Sequence, residues 1–392
     1  MLLQDRRGVI LLLLLVVVGM VWMMMEVGIQ MGGETRQSWG AILSLSLWRG
    51  YPGRAREASE VRLFWGRRRW QIGTASMNIG GRVKDYYYPS PSTIGPRPKR
   101  EWIQRLEYFL LQHPDPEIRA SLRINPAKLQ QDGLVVYPPE VPTDRHGVCS
   151  WESSGCLRNT QNGYTHHLDI IQPDAHSWVV NFDDGPLPPS EKLYQILDQF
   201  GIKATHFWIG GNVLKYWKLA KMANLRGDHL AVHTWSHSHL TSLTNHQILG
   251  ELGWTIQIIF DLTGKVPRFF RPPYGNIDNR VRAIAKHVFG LETVIWNFDS
   301  VDWGLNQTWA TGDQVDQADP RTAPTLEQVV EAIGRFASNT SAGGLILQHE
   351  LSLEAVEAFR RSWDMVRAAK FSSVGPLPVC LNAGMAEWYQ SQ

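Results

Sequence analysis

From about Gly147 onward, short apolar runs alternate with amphipathic stretches of roughly 10 to 18 residues, and this alternation restricts the fold more than any other feature. Val179 to Phe182, Ala204 to Ile209, Leu230 to Val232, Phe269-Phe270, Val294 to Trp296, Leu345 to Leu347 and a stretch near Ser373 to Leu381 read as strands. Leu193, Ile196, Leu197 and Phe200 mark one helix face. A long helix from Asn245 to Leu262 has Thr244 as its cap and Gly264 as its stop. Further helices are predicted at Asn279 to Phe289, Thr325 to Ala337 and Leu353 to Ala369. About seven parallel βα units in roughly 230 residues favour an irregular (β/α) barrel over an open sheet.

Polar residues gather at one edge of that scheme. Asp183-Asp184, His233, Arg271, Asp302 and His349 each fall at, or within a few residues of, the C-terminal end of a predicted strand. In α/β barrels and open sheets this is the edge where loops converge to build sites. His233 and His237 are four apart and can face the same way in a helix or a tight turn. One acid and two imidazoles make a three-ligand set that leaves a fourth position on zinc open for water. The second acid is then free to act as a base, which points to metal-assisted hydrolysis. A lone pair of histidines at this spacing is more often structural, so the weight rests on the whole set.

The segments Asn181-Phe-Asp-Asp-Gly-Pro186, His233-Thr-Trp-Ser-His237, Arg271-Pro-Pro-Tyr274, Asp299-Ser-Val-Asp-Trp303 and Leu347-Gln-His349 resemble, in content and order, the five motifs of the carbohydrate esterase family 4 polysaccharide deacetylases. The likeness covers about Cys149 to Leu381 and is greatest to the fungal chitin deacetylases. It implies that Asp184, His233 and His237 bind a divalent metal, most often Zn2+, and that Asp183 is the base, paired with Arg271. It further implies that the backbone N–H of Tyr274 helps hold the oxyanion. His349 would be the acid, oriented by Asp302 with Asp299 as the rival for that place. Trp303 and Leu347 would line the pocket for the acetyl methyl. The substrate implied is chitin or another N-acetylglucosamine polymer; acetylxylan or peptidoglycan, or a non-catalytic wall-binding role, are the alternatives. Asn181 stands where Thr is commonest, and Val301 where a polar residue is frequent. Neither change removes a ligand, base or acid.

The rest of the chain is less specific. With 392 residues, 43% hydrophobic and 19% charged, it is globular in composition. A net charge of +2 and the lack of any nucleic-acid-binding motif argue against nucleic acid, and no protein partner is implied. Gly8 to Met25 is an uninterrupted apolar run after Arg6-Arg7. Residues 1–25 therefore read as a signal anchor, with a cleaved signal peptide as the alternative. Either sends the chain into the secretory pathway, to the cell surface or wall. Residues 26–144 read as a stem or packing arm, with an amphipathic helix on Trp102, Ile103, Leu106, Phe109 and Leu110. Residues 145–385 form the expected catalytic domain. Cys149 and Cys156 can close a disulfide, two unrelated thiols being the alternative, and Cys380 reads as a buried free thiol. Asn306 and Asn339 are glycosylation acceptors if the domain is luminal. His206, His239, His246 and His166-His167 match no motif and read as structural or exposed.

Overall fold

The computed structural model describes residues 88–164, 168–305 and 323–391. The apolar run of residues 8–25, most of the expected stem, His166-His167 and Asn306 lie outside the described residues. Among the described residues, no helix is long and apolar enough to cross a membrane.

Helix α1 (Arg100–Gln112) precedes the strands β1 (Ser177–Val179) and β2 (Asn181–Asp183), a single run broken at Val180. Next come α2 (Ser190–Phe200), β3 (Thr205–Trp208), α3 (Gly210–Lys215), α4 (Trp217–Arg226), β4 (His229–Val232) and the long α5 (Asn245–Thr263). The order continues with β5 (Phe269–Phe270), α6 (Asn279–Ala283), β6 (Glu292–Thr293), β7 (Phe298–Asp299) and α7 (Leu326–Asn339). It ends with β8 (Ile346–Leu347), α8 (Leu353–Ala368), β9 (Ser373–Gly375) and α9 (Leu377–Cys380).

Strands β2 to β6 are hydrogen-bonded in chain order, all parallel. β7 pairs in parallel with β8. β8 returns to the start of the ring, because Asp183 bridges His349 and donates its N–H to the carbonyl of Gln348 at 2.9 Å. β6 and β7 belong to one segment, whose first half pairs with β5 and whose second half pairs with β8. The sheet thereby closes as an irregular barrel, and β9 adds to it against β1.

Alternation along the strands sorts side chains by face. Val179, Phe207, Ala231, Phe269, Val294 and Leu345 form one buried cluster inside the ring. Their neighbours point outward: Phe182, Trp208 and Leu230 pack with α2, α7 and α8, while Val232 and Phe270 pack with α1 and α5. The same parity turns Asp183, His233 and Arg271 inward, one step above the apolar layer.

Local sequence explains most boundaries. α5 begins with a reciprocal capping box between Thr244 and Gln247 and ends at Gly264, whose φ of 72° suits a residue without Cβ. The strand predicted at Val294 to Trp296 lies earlier, at Glu292–Thr293. Its partner β5 runs into Pro272-Pro273, which offer no N–H to extend the ladder. The strand predicted through Leu381 stops at Gly375; Pro376 and Pro378 instead open the helical turn α9. The helix predicted at Asn279 to Phe289 is α-helical to Ala283 and widens into a π-turn over Ile284–Val288. α3 and α4 had no signal in the sequence pattern. The buried face of α4 is Ala220 and Ala223, too small to stand out as an apolar stripe.

The amphipathic helix expected near Trp102 is present as α1, with Trp102 and Leu106 buried against α5. Trp102 sits where a Cβ on Gly253 would meet its ring at 2.5 Å, so the glycine makes room for it. From Tyr88 onward the described chain packs on the barrel. Cys149 and Cys156 are disulfide-bonded with Cα atoms 5.0 Å apart, and Cys380 is buried and free. Asn339 is exposed at the end of α7.

Candidate active site

Asp184 follows β2, and His233 follows β4. His237 lies four residues on, in a tight turn rather than a helix. Asp184, Thr234 and His237 have φ values of 72°, 66° and 61°. Left-handed backbone at a β-branched threonine is costly and persists where surrounding structure enforces it. The turn brings both Nε2 atoms to one oxygen: His233 Nε2 is 3.3 Å and His237 Nε2 is 3.2 Å from Asp184 Oδ1. One ligand atom from each of the three residues lies within 4.8 Å of the others.

The donor set fits a divalent cation. His233 Nδ1 lies 2.7 Å from the carbonyl of Arg271, which can only accept. Nδ1 therefore carries the proton and Nε2 keeps its lone pair for a metal. His237 Nδ1 is likewise engaged by the Tyr274 hydroxyl at 3.0 Å. Asp184 Oδ1 is buried and accepts no well-formed hydrogen bond. Burial alone would raise the Asp184 pKa, yet His237 and His233 hold it well below the carboxylate range. A buried carboxylate oxygen without a hydrogen bond, facing two imidazole Nε2 atoms, is the donor set a zinc-type site requires.

Beside this set, Asp183 Oδ1 accepts from Arg271 Nη1 at 2.8 Å. Both side chains are almost fully buried, at 1% and 0% exposure. The Arg271 guanidinium lies over the Phe207 ring at 4.2 Å, so the ion pair caps the apolar interior. Asp183 Oδ2 is 3.9 Å from His233 Nε2 and thus faces the ligand cluster.

Across the ring, His349 Nδ1 donates to Asp302 Oδ1 at 2.6 Å, and the His349 backbone N–H donates to Asp302 Oδ2 at 2.9 Å. Burial by itself lowers the His349 pKa; Asp302, with Asp184 and Asp183 behind it, overrides this and raises it to about 10. Asp302 is thus the partner of His349, and Asp299 is not: Asp299 accepts from the N–H of Val301 at 2.8 Å. Trp303 is half-buried beside Asp302, and Leu347 is buried on β8. Tyr274, at φ 58°, stacks its ring on His239 at 4.1 Å. Behind it, Trp151 from the disulfide-closed turn occupies the space a Cβ on Gly275 would need.

Three residues without a motif role in the sequence support the site from below. Glu350 is wholly buried; it accepts from Trp208 Nε1 at 3.2 Å and lies 2.9 Å from His206 Nδ1. Burial lowers the pKa of His206, but Glu350 and Asp228 outweigh it and raise it to about 9. Glu251, on α5, bonds the backbone of the histidine turn. Its signal in the sequence is an acid on the apolar face of a helix, flanked by Ile248, Leu249 and Leu252.

The polysaccharide deacetylase family matches residues 171–293. The fold and the site's motifs go with a polysaccharide deacetylase domain. Among curated proteins, the chain is 36% identical over 293 residues to chitin deacetylase 3 of Cryptococcus neoformans var. neoformans, covering 72% of this chain and 63% of that protein. It is 37% identical over 204 residues to a chitin deacetylase of Amylomyces rouxii, covering 52% and 46%. It is 35% identical over 222 residues to chitin deacetylase 1 of Saccharomyces cerevisiae, covering 56% and 64%. The chain thus spans less than two thirds of these relatives' lengths. In fold it is similar to the chitin deacetylase of Colletotrichum lindemuthianum, with a TM-score of 0.50 at 19% identity, covering 58% of this chain and 96% of that one.

Proposed function

We propose that this protein is a metal-dependent deacetylase that hydrolyses the N-acetyl groups of chitin or chitin oligosaccharides, yielding chitosan and acetate. One observation carries the reading: a buried carboxylate oxygen of Asp184, without a hydrogen bond, between two imidazole Nε2 atoms and next to Asp183. The named relatives are chitin deacetylases, which supports the choice of substrate.

Asp184, His233 and His237 would hold the ion, with zinc favoured by two nitrogen donors and one oxygen donor. When bound, it supplies Lewis acidity that polarises the acetyl carbonyl and lets a water lose its proton near neutral pH. Arg271 fixes the rotamer of Asp183, so Asp183 Oδ2 can accept that proton as the water oxygen bonds to the carbonyl carbon. The backbone N–H of Tyr274 is assigned to the developing oxyanion. Asp302 holds His349 with a proton on Nδ1 and favours its doubly protonated form. His349 then passes a proton to the amide nitrogen as the carbon–nitrogen bond breaks, and acetate leaves with a free amine. Trp303 and Leu347 border the space for the acetyl methyl.

The Cys149–Cys156 disulfide supports an oxidising compartment, in keeping with passage through the secretory pathway to the cell surface or wall. Anchoring by residues 1–25 is part of the same proposal. The decisive assay is acetate release by the full chain from chitin oligomers and from acetylxylan, before and after a chelator. Chelator-sensitive release from chitin oligomers is the expected result; release from acetylxylan alone overturns the substrate assignment.

A further inference from the structure

Glu251 is an acid in an otherwise apolar setting. It lies on α5 among Ile248, Leu249, Leu252 and Ile256, and its exposure is 0%. An isolated carboxylate in such a place costs several kcal/mol unless every lone pair finds a donor. Here the donors are four neutral groups. Oε2 accepts from the backbone N–H of Trp235 at 2.8 Å and of Ser236 at 2.9 Å. Oε1 accepts from Ser236 Oγ at 2.7 Å and from the N–H of Gly95 at 2.7 Å.

Three of those donors belong to the two residues immediately before His237, inside the turn that separates it from His233. That turn has the left-handed Thr234 and His237 at its corners, conformations that persist only where surrounding structure enforces them. Within the turn, Thr234 Oγ1 accepts the N–H of His237 at 3.0 Å. The turn's carbonyls also accept from Gly210 and Gly211 at 2.8 and 2.9 Å. The fourth donor, Gly95, ties in the segment that precedes α1. The same segment accepts Trp235 Nε1 on the carbonyl of Ser90 at 2.9 Å and stacks Tyr88 on the Trp235 ring.

We propose that Glu251 is a positioning residue for metal binding: its carboxylate, together with residues 88–95, holds the His233–His237 turn in the shape that aims both Nε2 atoms at one ion. The proposal rests on the metal reading above. Replacing such supporting partners lowers metal affinity by about 10–100-fold in comparable sites.

The test is the full chain carrying Glu251→Gln, an isosteric change that turns one acceptor oxygen into a donor facing donors. Zn2+ affinity is read by competition with a chromophoric chelator, and the denaturant midpoint of the metal-free protein is read alongside. Ile256→Val, on the same buried helix, is the stability control. The expected result is Zn2+ binding weaker by about 10–100-fold in Glu251→Gln, with Ile256→Val binding like the wild type. Equal Zn2+ affinity in Glu251→Gln and wild type overturns the proposal and leaves the metal reading standing. A wild type that binds no Zn2+ overturns both. If Glu251→Gln does not fold, Ser236→Ala decides, since it removes one donor at a partly exposed position. Weaker Zn2+ binding at an unchanged midpoint supports the proposal, and unchanged binding overturns it.

Discussion

Asp302 grips His349 with both carboxylate oxygens, one on the imidazole Nδ1 and one on the backbone N–H of the same residue. A single contact would leave the ring free to swing; two fix its plane and its tautomer together. The raised pKa of His349, about 10, follows from the same contact.

A pH dependence follows from that pair. The proton on His349 is present below its pKa and lost as pH rises through it, so activity falls on the alkaline side. Asp302→Asn removes the main cause of the elevation, so the alkaline limb should move to lower pH. The same shift has a stability side: its contribution is complete below the unfolded-state value of about 6.5 and is lost as pH climbs through the folded one. A pH–rate profile of kcat/KM for both proteins checks the first, and a limb unmoved in Asp302→Asn would exclude His349 as the acid. His349→Ala should lower kcat by about 10²–10⁴-fold.

Asp183→Asn should abolish turnover, but its structural cost is not small. Arg271 is fully buried with Asp183 as its carboxylate partner. Removing the negative charge leaves a buried cation unpaired, which typically costs about 3–5 kcal/mol. The double variant Asp183→Asn/Arg271→Met should regain much of the stability and none of the activity. Urea midpoints and acetate release on the three proteins separate the two effects.

Metal addition should stabilise the wild type by about 2.7 kcal/mol at a hundredfold excess over its dissociation constant. His233→Ala and His237→Ala should each lose most of that gain. Thermal denaturation with and without Zn2+ is the measurement, and an equal gain in all three proteins would place the ion elsewhere.

Gly185→Ala should be harmful although glycine's φ freedom is not what the position uses. A Cβ there would meet Glu350 Oε1 at 1.9 Å, and that oxygen is held by His206 and Trp208. Displacing it should cost about 1–3 kcal/mol. A denaturant midpoint equal to the wild type's would show that Glu350 can move aside freely.

The alternation of apolar runs carried the barrel, and the polar strand ends carried Asp183, Asp184, His233, Arg271, Asp302 and His349 to one edge. These are local signals, with period and position readable along the chain. What escaped is long-range. Glu350 reads as a polar neighbour of His349 until β8 places it beneath Gly185 and beside His206. Glu251 reads as a helix acid until the histidine turn folds over it. α4 hid because alanine, its buried residue type, has little hydropathy contrast. The residues before α1 gave no periodic pattern because they act largely through backbone groups, such as the Gly95 N–H and the Ser90 carbonyl.

Residues 292–299 serve two neighbours in turn, β5 and then β8, and so act as the clasp of the ring. A substitution in such a clasp can be absorbed by repacking. An added or deleted residue cannot, because it would reverse the facing of everything beyond it and swing Asp302 away from His349. Descendants of this chain should therefore keep the length of this stretch and diversify by insertion only outside it.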